Sequence, residues 1–190
     1  MPRAGLDSTA VVRAAAELAD AQGLEAVTLA RLADSLGVRP PSLYAHVHGL
    51  DDLRQRLGAQ GARDLAAAVA VAAAGRSRLA ALRAVADTYR AYAKTHRGTY
   101  AAMQRAPDED SGEAAAAGRE LVEVILAVLD GYSLKGEEAI HGVRVVRAAL
   151  HGFVSLEREG GFGMPISVQL SYERLIAVLD RGLSDRVFGG

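Results

Sequence analysis

The sequence contains no cysteine and no large excess of either charge. A chain without cysteine can form no disulfide, no cysteine-ligated zinc site and no cysteine nucleophile. Such a chain is compatible with a reducing cytoplasm, which is where we expect this protein to be located. Because the formal net charge is −1, a surface that binds nucleic acid has to be a local basic patch.

Long apolar runs are missing as well. No stretch approaches the ~18–20 uninterrupted apolar residues of a membrane span, and the first seven residues lack the apolar segment of a secretion signal. We therefore expect no association with a membrane. The Gly-x-Ser-x-Gly, His-Glu-x-x-His and Walker-type motifs are also absent. We accordingly expect no enzymatic activity, no metal site and no cofactor.

The residues that are present favour helices throughout. Half of them are hydrophobic, which is enough to bury a sizeable core. Alanine, leucine, arginine and glutamate dominate, and the alternation of β-branched residues that marks strands is nearly absent. The composition and periodicity therefore predict an all-α fold.

Near the N-terminus, two short helices are predicted on either side of a glycine turn. A first helix follows Ser8 as its cap and ends at Gly23, because serine favours helix starts and glycine favours helix ends. Thr28 can cap a second helix, which Gly37 ends. A brief third helix, about Pro41 to His46, restarts at prolines, which cost least in a first turn. This arrangement predicts a helix-turn-helix.

The second helix of a helix-turn-helix lies in the DNA major groove, with its N-terminal residues at the base edges. Arg39 can pair bidentately with guanine, and Pro40 and Leu43 can touch a thymine methyl group. Ser42 lies near the bases too, although its hydroxyl also suits a phosphate. Tyr44, His46 and His48 suit the phosphates, and Thr28 completes the set of residues that we predict to bind DNA.

Alternatives stay open for single residues of this segment. Leu43 has the character of a core residue, and His46 that of a solvated surface histidine. The basic patch itself is small, because residues 37–50 contain Arg39, His46 and His48 but no carboxylate. Such a patch neutralises only a few phosphates.

The stretch LGVRPPSLYAHVHGLDDL, residues 36–53, resembles the DNA-binding domain of TetR-type transcriptional regulators. The resemblance covers about residues 8–57, and it implies that Tyr44 and His46 contact the DNA backbone. His48 departs from the family pattern, which usually has lysine at this position. We predict a helix-turn-helix domain over residues 1–55 and a helical effector-binding and dimerisation domain over residues 56–190.

A second stretch, RAALHGFVSLEREGGFGMP at residues 147–165, resembles more loosely the histidine-glycine signature of one TetR subgroup. The resemblance implies a homodimer, in which the last two long helices (about 136–159 and 167–183) pack against their symmetry mates as a four-helix bundle. It also implies a pocket for a small-molecule effector. The expected protein is a dimeric, ligand-responsive regulator, usually a repressor in this family, that binds a palindromic DNA operator and is released by its effector.

The residues that we predict to bind the effector follow helical spacing. Aromatic and polar side chains in such a stripe suit an aromatic or amphiphilic ligand, but the same spacing is typical of core residues. Arg147 and His151 can bind an anionic ligand or belong to an exposed or interfacial stripe. The full set is Tyr89, Tyr92, His96, Tyr100, Met103, Arg147 and His151.

Two other functions are compatible with the helical pattern. A helical-bundle enzyme or small-molecule carrier would use the tyrosine-lined cavity without binding DNA, although the sequence offers no convincing acid–base pair for catalysis. An architectural dimer would bind DNA without any effector.

Overall fold

In a computed structural model, which describes residues 6–104 and 112–185, every regular element is helical, as predicted. Two short 3-10 helices lie at Leu24–Ala26 and Pro40–Ala45. No helix in the described residues is both long and apolar enough to cross a bilayer. The α-helices are α1 (Ser8–Gln22), α2 (Leu29–Leu36), α3 (Leu50–Ala73), α4 (Arg78–Thr95), α5 (Arg97–Met103), α6 (Gly112–Asp130), α7 (Gly136–Arg158) and α8 (Val168–Ser184).

The first helix is capped by Asp7, whereas the sequence predicted Ser8. The Asp7 carboxylate accepts a hydrogen bond from the N–H of Ala10 at 2.7 Å, and Ser8 is the first helical residue. An acidic cap suits a helix N-terminus, where the free N–H groups and the dipole favour negative charge. The helix ends before Gly23, as predicted, and the φ of +90° at this residue favours glycine.

The described residues fall into two compact units. The first comprises those within Met1–Asp64 and Thr95–Arg119, and the second those within Leu65–Lys94 and Glu120–Gly190. The domain boundary that we place between residues 55 and 56 stays a prediction. The core of the first unit contains Val11, Val12, Ala15, Ala19, Val27, Leu32, Ala33, Leu43, Val47, Leu53, Leu57 and Ala102.

Within the first unit, α5 packs against α1 through a glycine. A Cβ added at Gly98 would lie 2.1 Å from the carbonyl oxygen of Ala19, so the two backbones approach more closely than any side chain allows. Helical spacing in the sequence predicts one helix over about Ser77 to His96, which Gly98 interrupts. Helix α4 does end there, at Thr95, but Gly98 lies inside α5, where it permits this close approach.

The second unit buries one face of each of α4, α7 and α8. At one end of this unit, the Tyr132 hydroxyl donates a hydrogen bond to Asp180 at 2.6 Å, and the Arg78 guanidinium lies 5.0 Å from the centroid of the Tyr132 ring. Among its buried side chains are Leu82, Val85, Tyr89, Tyr92, Ile125, Leu129, Val143, Val146, Leu150, Val154, Tyr172, Ile176, Leu179 and Leu183.

We expect Gly98→Ala to destabilise the protein by about 1–3 kcal/mol or more, because the added methyl group overlaps the backbone of Ala19. Gly118→Ala is the matched control. Gly118 also lies in a helix, but a Cβ there meets nothing within 4 Å, so alanine should stabilise by up to ~1 kcal/mol. Urea unfolding measures both values. Equal stability of the two variants would contradict the close contact between α1 and α5.

Candidate nucleic-acid interface and ligand region

The turn between α2 and the 3-10 helix Pro40–Ala45 is shaped by Gly37. This residue has a φ of +65°, in the left-handed region that glycine tolerates best, and it ends α2 as predicted. The N–H of Val38 then donates to the carbonyl of Ala33 at 3.0 Å. At the other end of α2, the Thr28 hydroxyl caps the helix by accepting the N–H of Arg31 at 3.2 Å, also as predicted.

The 3-10 helix Pro40–Ala45 is held on the core by two buried side chains. Leu43 and Val47 are both 0 % exposed. Backbone hydrogen bonds of 2.9 Å run from Ser42 N–H to the Arg39 carbonyl and from His46 N–H to the Leu43 carbonyl. Leu43 is therefore a core residue, and the prediction that it touches the bases is corrected. Its burial positions the rest of the helix.

The remaining residues predicted to bind DNA lie around this helix with accessible side chains. Tyr44 is 59 % exposed, and His46 is half-buried. The others, all exposed, are Thr28, Arg39, Pro40, Ser42 and His48. Pro41 and Ala45, which the sequence analysis did not single out, are exposed on the same helix.

Side-chain hydrogen bonds fix the C-terminal side of this surface. The Asp52 carboxylate accepts the N–H of His48 at 2.7 Å and Nε of Arg56 at 2.8 Å. Burial alone would raise the pKa of Asp52, but these hydrogen bonds outweigh it and lower the pKa. The Ser8 hydroxyl also lies 3.3 Å from the carbonyl oxygen of His46, to which it donates. The first turn of α1 therefore contacts the end of the 3-10 helix.

Three of the residues predicted to bind the effector belong to the first unit. His96 precedes α5, and its Nδ1 lies 2.9 Å from a carboxylate oxygen of Asp20 on α1. The other oxygen of Asp20 accepts the N–H of Thr99 at 2.8 Å. Tyr100 is buried in α5, and Met103 packs partly buried against the alanine-rich face of α3 and α6.

The other four belong to the second unit. Tyr89 and Tyr92 are buried on α4, which agrees both with a pocket wall and with a core position. On α7, Arg147 is exposed and His151 is half-buried. Burial, reinforced by Arg147 and Arg158, lowers the pKa of His151. Its imidazole is therefore uncharged near neutral pH and adds no positive charge for an anionic ligand.

An ion-pair cluster that the sequence did not reveal joins α4 to α7 in this unit. Nε and Nη2 of Arg90 donate to the two carboxylate oxygens of Glu157 at 2.8 Å and 2.5 Å. Nζ of Lys94 donates to the same carboxylate at 3.0 Å. These hydrogen bonds, with that of Arg90 the strongest, hold the pKa of Glu157 below its ordinary value. Glu157 lies more than sixty residues from Arg90 and Lys94 in the sequence, so local spacing does not predict the cluster.

The same guanidinium lies over aromatic rings of the second unit. Arg90 Cζ is 4.2 Å from the centroid of the Tyr172 ring and 5.8 Å from that of Phe153, within the range of cation–π attraction. Its Nη1 donates to Gln169 at 2.6 Å. Burial, with a further contribution from Asp87, raises the pKa of the Tyr172 hydroxyl, which stays protonated. Arg90 therefore connects α4 with both α7 and α8.

Two short helices that flank a glycine turn, the second with an exposed surface that lacks carboxylates, define a helix-turn-helix DNA-binding protein. The family model described as bacterial regulatory proteins, tetR family, matches residues 11–56. The model described as tetracyclin repressor-like, C-terminal domain, matches residues 82–179. The chain belongs to the TetR family.

Relatives of known class agree with this assignment. The HTH-type transcriptional regulator Rv0681 of Mycobacterium tuberculosis is 38 % identical over 83 % of this chain and 72 % of its own length. The HTH-type transcriptional regulator YobS of Bacillus subtilis is 34 % identical over 85 % of this chain and 84 % of its own. The chain is accordingly a transcriptional regulator and not an enzyme.

Solved structures share the fold. A protein from Rhodococcus sp. RHA1 superposes with a TM-score of 0.79 at 22 % identity, covering 97 % of this chain and 100 % of that one. The TetR family protein ActR of Streptomyces coelicolor, in complex with (S)-DNPA, gives a TM-score of 0.68 at 18 % identity, covering 95 % and 98 %. At these identities the likeness establishes the fold.

We expect Glu157→Gln to lower the free energy of unfolding by about 1–3 kcal/mol at pH 7, because the charged hydrogen bonds with Arg90 and Lys94 are lost. A carboxylate with a lowered pKa stabilises the folded state above its unfolded pKa and loses that effect as pH falls. The difference between variant and wild type should therefore shrink below pH 4.5, the ordinary value for this group. Urea unfolding at several pH values measures it.

Glu123→Gln on the exposed side of α6 is the matched control, and it should change stability by less than ~0.5 kcal/mol. A difference for Glu157→Gln that stays constant between pH 7 and pH 3 would show that the lost stability is not electrostatic.

Proposed function

We propose that the protein is a dimeric, ligand-responsive repressor that binds a palindromic DNA operator and leaves it when a small molecule binds. The observation that carries the DNA-binding part is the acid-free surface of the 3-10 helix Pro40–Ala45, which the buried Leu43 holds against the core. A repressor of this kind acts where the chromosome is, so we place it in the cytoplasm.

On this proposal the 3-10 helix is the recognition helix. Arg39, exposed at its N-terminal end, suits bidentate pairing with guanine. The exposed Ser42 hydroxyl reaches a base or a phosphate. The residues assigned to the phosphates are Thr28, Tyr44, His46 and His48.

The exposed face of α7 and α8 supports dimerisation. Apolar side chains lie open on both helices, with Val145 43 % and Val178 68 % exposed. Gly152 and Gly182 lie on the same two helices, and a Cβ at either position would meet nothing within 4 Å in one protomer. Apolar residues interspersed with glycine suit close packing of helices, and we propose that a second copy covers this face.

The proposed effector site lies in the C-terminal domain and uses Tyr89 and Tyr92. Both are buried among apolar residues, where a ring stacks on an apolar ligand while the hydroxyl orients it. The structure of ActR, a protein of this fold, in complex with (S)-DNPA supports a ligand site in this chain. We keep His96, Tyr100, Met103, Arg147 and His151 as further candidates.

The proposal is tested by selecting binding sites from random duplex DNA at a stated, near-physiological salt concentration. The protein is first unfolded and refolded, so that an effector carried through purification is removed. We expect an enriched inverted repeat. No enrichment by folded protein would overturn the DNA-binding part and would favour a ligand carrier that does not recognise DNA.

We expect Arg39→Ala to relax base preference at one position in each half-site, at a cost of about 1–3 kcal/mol for each lost bidentate contact. Competition binding with duplexes mutated one base pair at a time measures the preference. Arg83→Ala, an exposed arginine on α4, is the control and should leave the preference unchanged. Unaltered preference at every position would remove Arg39 from base recognition.

We expect Gly152→Leu to convert the dimer into a monomer while leaving the protomer folded. Leucine is a better helix former than glycine by up to ~1 kcal/mol, and a Cβ atom added at Gly152 meets nothing within 4 Å in one protomer. Loss of the dimer would therefore come from a clash with the second copy. Sedimentation equilibrium measures the association, and Gly118→Leu on α6 is the control. A Gly152→Leu variant that dimerises like the wild type would contradict the proposed interface.

A further inference from the structure

A cleft lies between the C-terminal ends of α3 and α6. Its volume is about 320 Å³, which is at the lower end of the range of small-molecule sites. All of its lining residues belong to the second unit, and none of them is among the candidates named above for the effector site. Its walls are formed by Ala70, Ala73 and Ala74 on one side and by Val124, Ala127 and Val128 on the other.

The cleft exists because small side chains face each other across the two helices. Packed interiors normally fill such a space with larger side chains, but four of the six wall residues are alanine. Ala70, Ala74 and Ala127 are exposed, whereas Val128 is buried. The cleft therefore presents solvent-exposed methyl groups beside a buried apolar residue, and an aliphatic ligand would cover them.

The turns that follow α3 and α6 line one end of the cleft. Gly131 lets them approach closely, because a Cβ there would lie 3.3 Å from the backbone nitrogen of Arg78 and 3.8 Å from Cβ of Ser77. Arg78 has a φ of +49°, which is costly for a residue with a side chain. Its guanidinium donates to Ser184 Oγ at 2.9 Å and to the Gly131 carbonyl at 3.4 Å. These hydrogen bonds hold the end of the cleft in a fixed shape.

This end of the cleft carries a positive charge. Of the nine described residues that line the cleft, only Arg76 is charged. Its Nη1 donates to the Ala72 carbonyl, which leaves other N–H donors of the guanidinium for a ligand. No carboxylate in the described part of the chain forms an ion pair with Arg76. The Ser77 hydroxyl adds a further donor, so this end suits one anionic group.

We propose that the cleft binds a small amphiphilic anion, an aliphatic chain that ends in a carboxylate. The chain lies between the alanines of α3 and Ala127, and the carboxylate pairs with Arg76. None of the nine described lining residues is aromatic, so a planar ligand would find no ring to stack on. The proposal is separate from the effector site around Tyr89 and Tyr92 and does not depend on DNA binding.

Sodium octanoate is the probe, and 1-octanol is the uncharged comparison with the same number of carbon atoms. Both are titrated into the refolded whole protein by isothermal titration calorimetry. We expect octanoate to bind about 5-fold more tightly than octanol, because only the carboxylate pairs with Arg76. From butanoate to octanoate, affinity should rise by up to ~4-fold for each CH₂ group that the cleft buries.

Variants test the two ends of the cleft separately. Ala127→Leu should weaken octanoate binding about 10-fold, because the added side chain displaces roughly two CH₂ groups of the ligand. Ala91→Leu, at an exposed alanine of α4 outside the cleft, is the control. Arg76→Gln should abolish the preference for octanoate over octanol and retain octanol binding. Arg83→Gln, at an exposed arginine of α4, should leave the preference intact.

Alanine-methyl NMR of the wild type locates the ligand without any variant. Octanoate should shift the methyl signals of Ala70, Ala73, Ala74 and Ala127. No binding of octanoate, shifts confined to other alanines, or unchanged affinity in Ala127→Leu would each overturn the site. Equal affinity of the wild type for octanoate and octanol would overturn the anionic ligand. None of these results affects the proposed function, which the selection of DNA sites tests independently.

Discussion

The proposed DNA-binding surface depends on the burial of Leu43 and Val47. A 3-10 helix of six residues has no stability of its own, since even longer isolated helices are marginal in water. Its position is therefore set by tertiary contacts, and these two side chains are fully enclosed in the core of the first unit. The residues between and around them face outwards as a consequence.

Other contacts in the first unit hold the segment with Leu43 and Val47 in place. Gly37 supplies the left-handed turn that brings the chain from α2 into the proposed recognition helix, and the Ser8 hydroxyl ties α1 to the end of that helix. Near the C-terminal end of α1, Gly98 lets α5 approach the backbone at Ala19. Asp20 accepts the N–H of Thr99 there. Helix α1 is thus tied to the proposed recognition helix at its first turn and to α5 near its C-terminal end.

Electrostatics act locally in this protein. The net charge is close to zero, so attraction to DNA cannot come from the whole molecule. Asp52 lies just beyond the recognition helix, but its carboxylate is engaged by Arg56 and by the N–H of His48, which offsets the negative charge beside the DNA-binding surface. In the second unit, the charges of Arg90 and Glu157 are likewise paired by direct hydrogen bonds.

Much of this organisation follows from the sequence by itself. Helical composition predicted the fold class, and Gly23, Thr28 and Gly37 predicted helix ends because capping and left-handed turns depend on local chemistry. The segment over residues 36–53 was sufficient to indicate the family. Exposed residues such as Arg39 and Tyr44 could be named as candidates because their types suit DNA.

Only the tertiary structure decided which neighbours of those residues face inwards. Leu43 lies among exposed residues in the chain, and its burial depends on the apolar faces of α1 and α2, which no local spacing reports. The same holds for Gly98 as a packing residue rather than a helix breaker, and for the pairing of Arg90 with Glu157. Each of these depends on where distant parts of the chain meet, and a linear pattern carries no measure of that distance.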